Sequence, residues 1–321
     1  MGVDLTAGPA GGVERDRFGR PLITPPEGGA ARAYTRVTTF VDCLEDKWNL
    51  QKWQMRHVAL GMVDGPRLQG RVDDARDDKS ALDALCDEAM DVAGAAEPAR
   101  TGTRLHSLTQ AADEGRLFTD DIPVEHRGDV EAYRRAVEGL RMRHIERLTV
   151  CDALRAAGTP DRIVEHRGEV YIADVKTGRL DYGLGKICMQ LALYAHCVLY
   201  DPASGRREPV AGLRQDKAIV IHLPAGQARC ELYWVDIAAG WEGVQLASQV
   251  RTWRRRKHPL VAFDACQPRP SGGWGARIAS AASVDELNRV WAQADAAGEW
   301  TDALTLAAAD RKTAVLAGRR A

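Results

Sequence analysis

No apolar run in the 321 residues approaches the roughly 18–20 that a membrane-spanning helix needs. Residues Met1 to Gly12 lack the basic-then-apolar order of a secretory signal, so the expected location is cytoplasmic. Charge of one sign is missing as well: 44 Lys and Arg offset 45 Asp and Glu, for a net charge of −1. A nucleic-acid protein with that balance must gather its basic residues locally. There is no framework of paired cysteines, since the seven (Cys43, Cys86, Cys151, Cys188, Cys197, Cys230 and Cys266) are odd in number and scattered. HExxH and paired CxxC motifs are absent, which removes the common zinc chemistries. Gly185-Lys186 is followed by Ile187 and has Leu180 where a phosphate-binding loop needs glycine, so no nucleotide motor is expected.

What is there reads as α+β or mixed α/β: a small central mixed sheet flanked by helices, with helical text at both ends. Residues 1–33, rich in Gly and Pro, read as a flexible lead-in. Residues 34–262 form the expected main domain. Helical spacing begins at Thr38 with Phe40, Leu44, Trp48 and Trp53, and returns near Lys79–Ala93, Thr101 and Val124–Met142. Strand-like runs cover Arg147–Leu154, Thr159–Glu165 and Glu169–Val175. A helix is predicted over Leu184–Leu199, strands over Lys217–Leu223 and Arg229–Val235, then a helix to about Lys257. Residues 263–275 read as a linker and 276–321 as a small helical module. In that module Ser283 and Glu286 form a capping box, Leu287, Val290, Trp291 and Ala294 make an apolar face, and Thr301 caps a second helix.

The most informative stretch is Gly158 to Gly178. Two β-rich runs flank Arg167-Gly168; if these two residues form the turn, residue i faces residue 335 − i. His166 then faces Glu169, and Asp161 faces Asp174. Two carboxylates about 5 Å apart at an effective dielectric near 20 repel by roughly 3 kcal/mol. Structure alone gains nothing from that, whereas a divalent cation between them would. Val170, Ile172, Asp174 and Lys176 share one face, so an apolar ladder ends in an acid and then a base. The plainer alternative is an exposed Asp174–Lys176 ion pair at a strand end.

Gly158-Thr159-Pro160-Asp161 followed by Asp174-Val175-Lys176 resembles the GxxD…(D/E)xK core of the PD-(D/E)XK nucleases. Gly102-Thr103-Arg104-Leu105-His106 is similar to the helix-borne GxxxH of the RecB-like branch, and Gln190 with Tyr194 to its QxxxY. The resemblance spans roughly residues 100–200 and implies a Mg²⁺- or Mn²⁺-dependent enzyme that hydrolyses DNA with a metal-activated water. It assigns Asp161, Asp174 and Lys176 to catalysis. His106, Asp161, Asp174 and the carbonyl of Val175 would be metal ligands, and Lys186, Gln190 and Tyr194 DNA contacts. The products implied carry 5′-phosphate and 3′-hydroxyl.

Further candidates are Glu146, which Arg143 and Arg147 could equally hold as a surface ion pair, and Arg254 and Arg255. The latter stand in the densest basic cluster, Arg251 to Lys257, and such a charge run is usually a solvated helix end. Thr35-Arg36-Val37-Thr38-Thr39 and the helical text to Met62 resemble exonucleases of actinobacterial phages, and read equally as an ordinary amphipathic helix. They point to end-dependent DNA cleavage in recombination or repair, in a bacterial or phage-infected cell, with a strand-annealing protein as a candidate partner. An iron–sulfur cluster is not expected, because only Cys230 and Cys266 follow the QxxxY helix, far apart. The competing class is a catalytically silent DNA-binding or scaffold protein that kept the fold. The presence of every core residue counts against it.

Overall fold

A computed structural model describes residues 12–257 and 273–318. The chain divides into two compact units, residues 1–256 and 257–321.

In the first unit, β1 (Leu22–Ile23) and β2 (Arg32–Ala33) form a short hairpin, followed by β3 (Thr35–Arg36). Helices α1 (Val37–Val41), α2 (Trp48–Asp64), α3 (Pro66–Ala75), α4 (Lys79–Val92), α5 (Glu97–Asp113) and α6 (Arg127–Val137) come next. Five strands then run close together: β4 (Arg141–Ile145), β5 (Thr149–Cys151), β6 (Ala156–Gly158), β7 (Arg162–His166) and β8 (Glu169–Lys176). Helix α7 (Leu184–Ala195), strands β9 (Val198–Tyr200), β10 (Arg207–Glu208), β11 (Lys217–His222) and β12 (Glu231–Asp236), and helix α8 (Ile237–Arg254) complete the unit. The architecture is mixed α/β with two five-stranded mixed sheets, ordered β12-β11-β8-β7-β4 and β10-β9-β5-β6-β3. The second sheet is an addition to the single small one expected.

β8 is central and buried on both faces, which its nearly continuous apolar text requires. Val170 and Ile172 pack with Met189, Leu191 and Val244 from α7 and α8; Tyr171, Ala173 and Val175 pack with Leu105, Leu108 and Tyr133 from α5 and α6. β7 and β8 pair antiparallel, Ile163 with Ile172 and His166 with Glu169, in the register the turn at Arg167-Gly168 predicts. Arg167 (φ 52°) and Gly168 (φ 83°) are both left-handed, the backbone of a type I′ hairpin turn.

Several expectations need correction. Residues 12–33 are built into the unit rather than trailing from it, with Ile23 fully buried against Tyr34 and Tyr200. The helix expected from Thr38 breaks after Val41, and Phe40 is buried while Trp48 is 60% exposed. The strand expected over Thr159–Glu165 is split. Pro160 has no N–H to give a ladder, so pairing stops after Gly158 and resumes in the other sheet at Arg162. Asp161 stands at that crossover. The helix expected to Leu199 stops at Ala195, because His196 stacks on Trp241 and Val198 and Leu199 pair with Val150 and Thr149.

Among the described residues the second unit has three helices rather than two, α9 (Trp274–Ser280), α10 (Val284–Ala296) and α11 (Asp302–Gly318), around Ile278, Leu287 and Val290. Ser283 Oγ accepts from the Glu286 amide at 3.1 Å, while the Glu286 carboxylate takes the Ala282 amide at 2.9 Å. Trp291, expected on the apolar face, is exposed. Most of the expected linker and Cys266 lie outside the described residues.

Candidate active site

The acids meet at the seam between the two sheets. Asp174 ends the apolar ladder of β8 and is 2% exposed. Asp161, one residue before the first β7–β8 pair, turns its carboxylate to the Val175 amide, accepting at 2.8 Å. It therefore lies against the backbone next to Asp174. Burial and then the Asp161 charge push the Asp174 carboxyl up to about 6. Burial also raises Asp161, against the lowering effect of the Val175 amide.

The two motif glycines have packing reasons. A Cβ on Gly158 would lie 3.0 Å from the Tyr194 hydroxyl and 3.1 Å from its ring. A Cβ on Gly102 would lie 2.9 Å from Thr177 Oγ1, so α5 can approach the end of β8 closely enough to bring His106 to the acids. His106 Nδ1 is 3.4 Å from Asp161 Oδ2. Burial holds its ring below the ordinary histidine range, opposed by the Asp174 charge. Lys176 Nζ is 2.5 Å from Asp174 Oδ2, and the Gln190 amide donates to Asp174 Oδ1 at 3.2 Å.

Glu146 joins this group. Its backbone is left-handed (φ 48°) and its amide donates to the Asp161 carbonyl at 3.1 Å. Burial first, and the Asp161 charge second, push its carboxyl up to about 8. Of the alternative partners Arg143 and Arg147, Arg143 is engaged by Glu165 at 2.7 Å, and the cation near Glu146 is instead the buried Arg162, 3.8 Å away.

Other candidates stand elsewhere. Tyr194 is 4% exposed beneath Gly158, so its ring is buried in the frame rather than presented for the DNA contact expected of it. Lys186 is held by Asp42 Oδ1 at 2.6 Å, so its charge is already matched by a carboxylate. Arg251 donates to Thr35 Oγ1 at 2.9 Å and lies over the Phe40 ring, which makes it part of the frame. Arg254 and Arg255 are exposed at the end of α8.

Sequence reasoning missed the support beneath the acids. Arg162, 1% exposed, donates to the Asp161 carbonyl at 2.7 Å and to Asp113 Oδ2 at 2.5 Å. Asp113 Oδ2 also accepts from the Tyr133 hydroxyl at 2.6 Å. Nothing in the text of α5 or α6 announces this, because the partners are 20 and 49 residues apart.

The donor set suits a hard cation. Asp174 Oδ2 is buried, and among the described residues its one close partner is the Lys176 ammonium, 2.5 Å away. Among the described residues no three His, Cys, Asp or Glu side chains form a ready cation cage. Mg²⁺ does not require one: it takes one or two carboxylates and completes its shell with water and substrate phosphate. No helix among the described residues is long and apolar enough to cross a membrane.

The sequence model of the PD-(D/E)XK nuclease superfamily matches residues 54–223, more than half of the chain. No curated protein matches the chain. The matched span runs from α2 to the end of β11 and contains Asp161, Asp174, Lys176, His106 and Gln190 in the arrangement above. By that match the chain belongs to the PD-(D/E)XK nuclease superfamily.

Proposed function

We propose that this protein is a Mg²⁺- or Mn²⁺-dependent DNA exonuclease of the RecB-like branch, acting in phage or bacterial recombination or repair. The observation that carries the reading is the meeting of two raised carboxyls, Asp161 and Asp174, with His106 and Lys176 at one strand end. Asp161, Asp174, His106 and the carbonyl of Val175 would hold the cation, with Glu146 beside them. When bound, the cation supplies neutralising charge for the scissile phosphate and acidity for the attacking water.

The chain's own residues do the rest. The Val175 amide orients Asp161, and Gln190 orients Asp174. Lys176, matched to Asp174 at rest, is the donor placed to meet charge developing on the phosphate oxygens. Arg254 and Arg255 are the exposed cations assigned to backbone phosphates, a sequence-independent, salt-sensitive grip. A strand-annealing protein is the partner this role would call for.

The test compares a linear duplex, a linear single strand and a covalently closed circle at equal nucleotide concentration with Mg²⁺. Degradation of the linear forms with the circle intact is expected. A circle cut as fast as the linear forms would make the enzyme an endonuclease.

A further inference from the structure

A cleft of about 940 Å³ opens directly beyond Lys176, lined by Thr177, Leu184, Ile187, Val220, His222 and Tyr233 among others. It lies on the same face of the sheet as the acids. Asp174 pairs with Val220 across β8 and β11, and Val220 pairs with Tyr233 across β11 and β12. Cross-strand partners project to one face, so Asp174, Val220 and Tyr233 form a row across the sheet. Two interstrand steps of about 4.8 Å put Tyr233 roughly 10 Å from Asp174. The cleft also sits where the parallel strands β8 and β11 end, at Lys176 and His222, the usual position for ligands of such sheets.

The lining indicates what fits. Tyr194 is buried, but Tyr233 is 44% exposed, with its ring 6.2 Å from that of His222. At the rim, Arg179 pairs with Asp181, and Arg229 with Glu231 at 3.4 Å. Their charges are matched, so the cleft is poorly suited to phosphate and well suited to a flat, partly apolar group with polar edges. Beside a phosphodiester-cleaving centre, that group is a nucleobase. Duplex DNA keeps its bases stacked inside, so only an unpaired nucleotide can enter.

We infer that this cleft seats the unpaired base adjacent to the scissile phosphate, stacked on Tyr233. The inference rests on the nuclease reading above and makes a single-stranded or frayed end the preferred substrate. The first test is equilibrium binding of the full-length wild-type chain in EDTA to a 12-nucleotide single strand and to an abasic strand of equal length. The abasic strand should bind about tenfold more weakly, the scale of losing a stacked base. Tyr233→Ala should weaken the normal strand by a similar factor, leave the abasic strand unchanged and keep the same salt slope, while Tyr233→Phe should bind like wild type. Equal binding of normal and abasic strands by wild type would overturn the inference, and this comparison stands even if Tyr233→Ala does not fold. So would a normal-strand affinity that Tyr233→Ala leaves unchanged. Hydrolysis of bis(p-nitrophenyl) phosphate with Mn²⁺ by wild type tests the nuclease reading separately, because that diester carries no base.

Discussion

The Asp161 carboxylate accepts a 2.8 Å hydrogen bond from the amide of Val175, the residue immediately after Asp174. One acid is thereby anchored to the backbone of the strand that carries the other. The consequences can be measured.

The first concerns pH. The folded-state carboxyl of Asp174 is raised from 3.8 to about 6, and that of Glu146 from 4.5 to about 8. A raised pKa means that the folded state binds the proton more tightly than the unfolded chain. Without divalent cation, the contribution from these groups is full below the ordinary values. It falls as pH rises from about 4 to about 8 and levels off above. Mg²⁺ or Mn²⁺ competes with those protons, so the rise in melting temperature on adding cation should grow from pH 5.5 to pH 8. Thermal melts across that range, with and without cation, read both effects. Asp174→Asn should flatten the lower part of the cation-free curve.

Lys176→Ala should lower turnover by roughly 10²–10³, the scale of losing one transition-state donor. Binding of Mn²⁺, followed by titration calorimetry, should remain. Equal loss of binding and turnover would instead make Lys176 a structural partner of Asp174.

Gly158→Ala places a methyl carbon 3.0 Å from the Tyr194 hydroxyl and 3.1 Å from its ring. Overpacking of this kind costs about 1–3 kcal/mol, readable as a lower denaturation midpoint. Tyr194→Phe in the same background should recover part of the loss by removing the nearer atom.

Arg162→Met should destabilise the fold by about 3–5 kcal/mol, because it leaves Asp113 buried without its cation. Asp113→Asn added to it should restore a measurable share in chemical denaturation, whereas strictly additive losses would show that the two do not act as a pair.

The parts of the site that were legible in the sequence are those held by local chemistry. Arg167-Gly168 has the conformational freedom for a tight turn, and the turn sets the register that places Asp161 beside the end of β8. Gly102 and Gly158 could be recognised as motif residues, although their reason, contact with Thr177 and Tyr194, emerges only in three dimensions. The burial of Tyr194 is not legible in the sequence, because helical spacing from Gln190 gives its face but not what covers that face. The Arg162–Asp113–Tyr133 network was invisible for the same reason: long-range partners leave no period in the text. The second sheet was hidden because β9 and β10 are so short that only their pairing with distant strands defines them.

The most direct measurement is the release of acid-soluble nucleotide from end-labelled linear DNA by wild type and by Asp174→Asn, with Mg²⁺ and with EDTA. Release should require Mg²⁺ and fall by about a hundredfold or more in the variant, on the scale of losing one key charge at the reacting phosphate. Release that persists in EDTA, or that Asp174→Asn leaves unchanged, would contradict a cation-dependent centre built on Asp161 and Asp174.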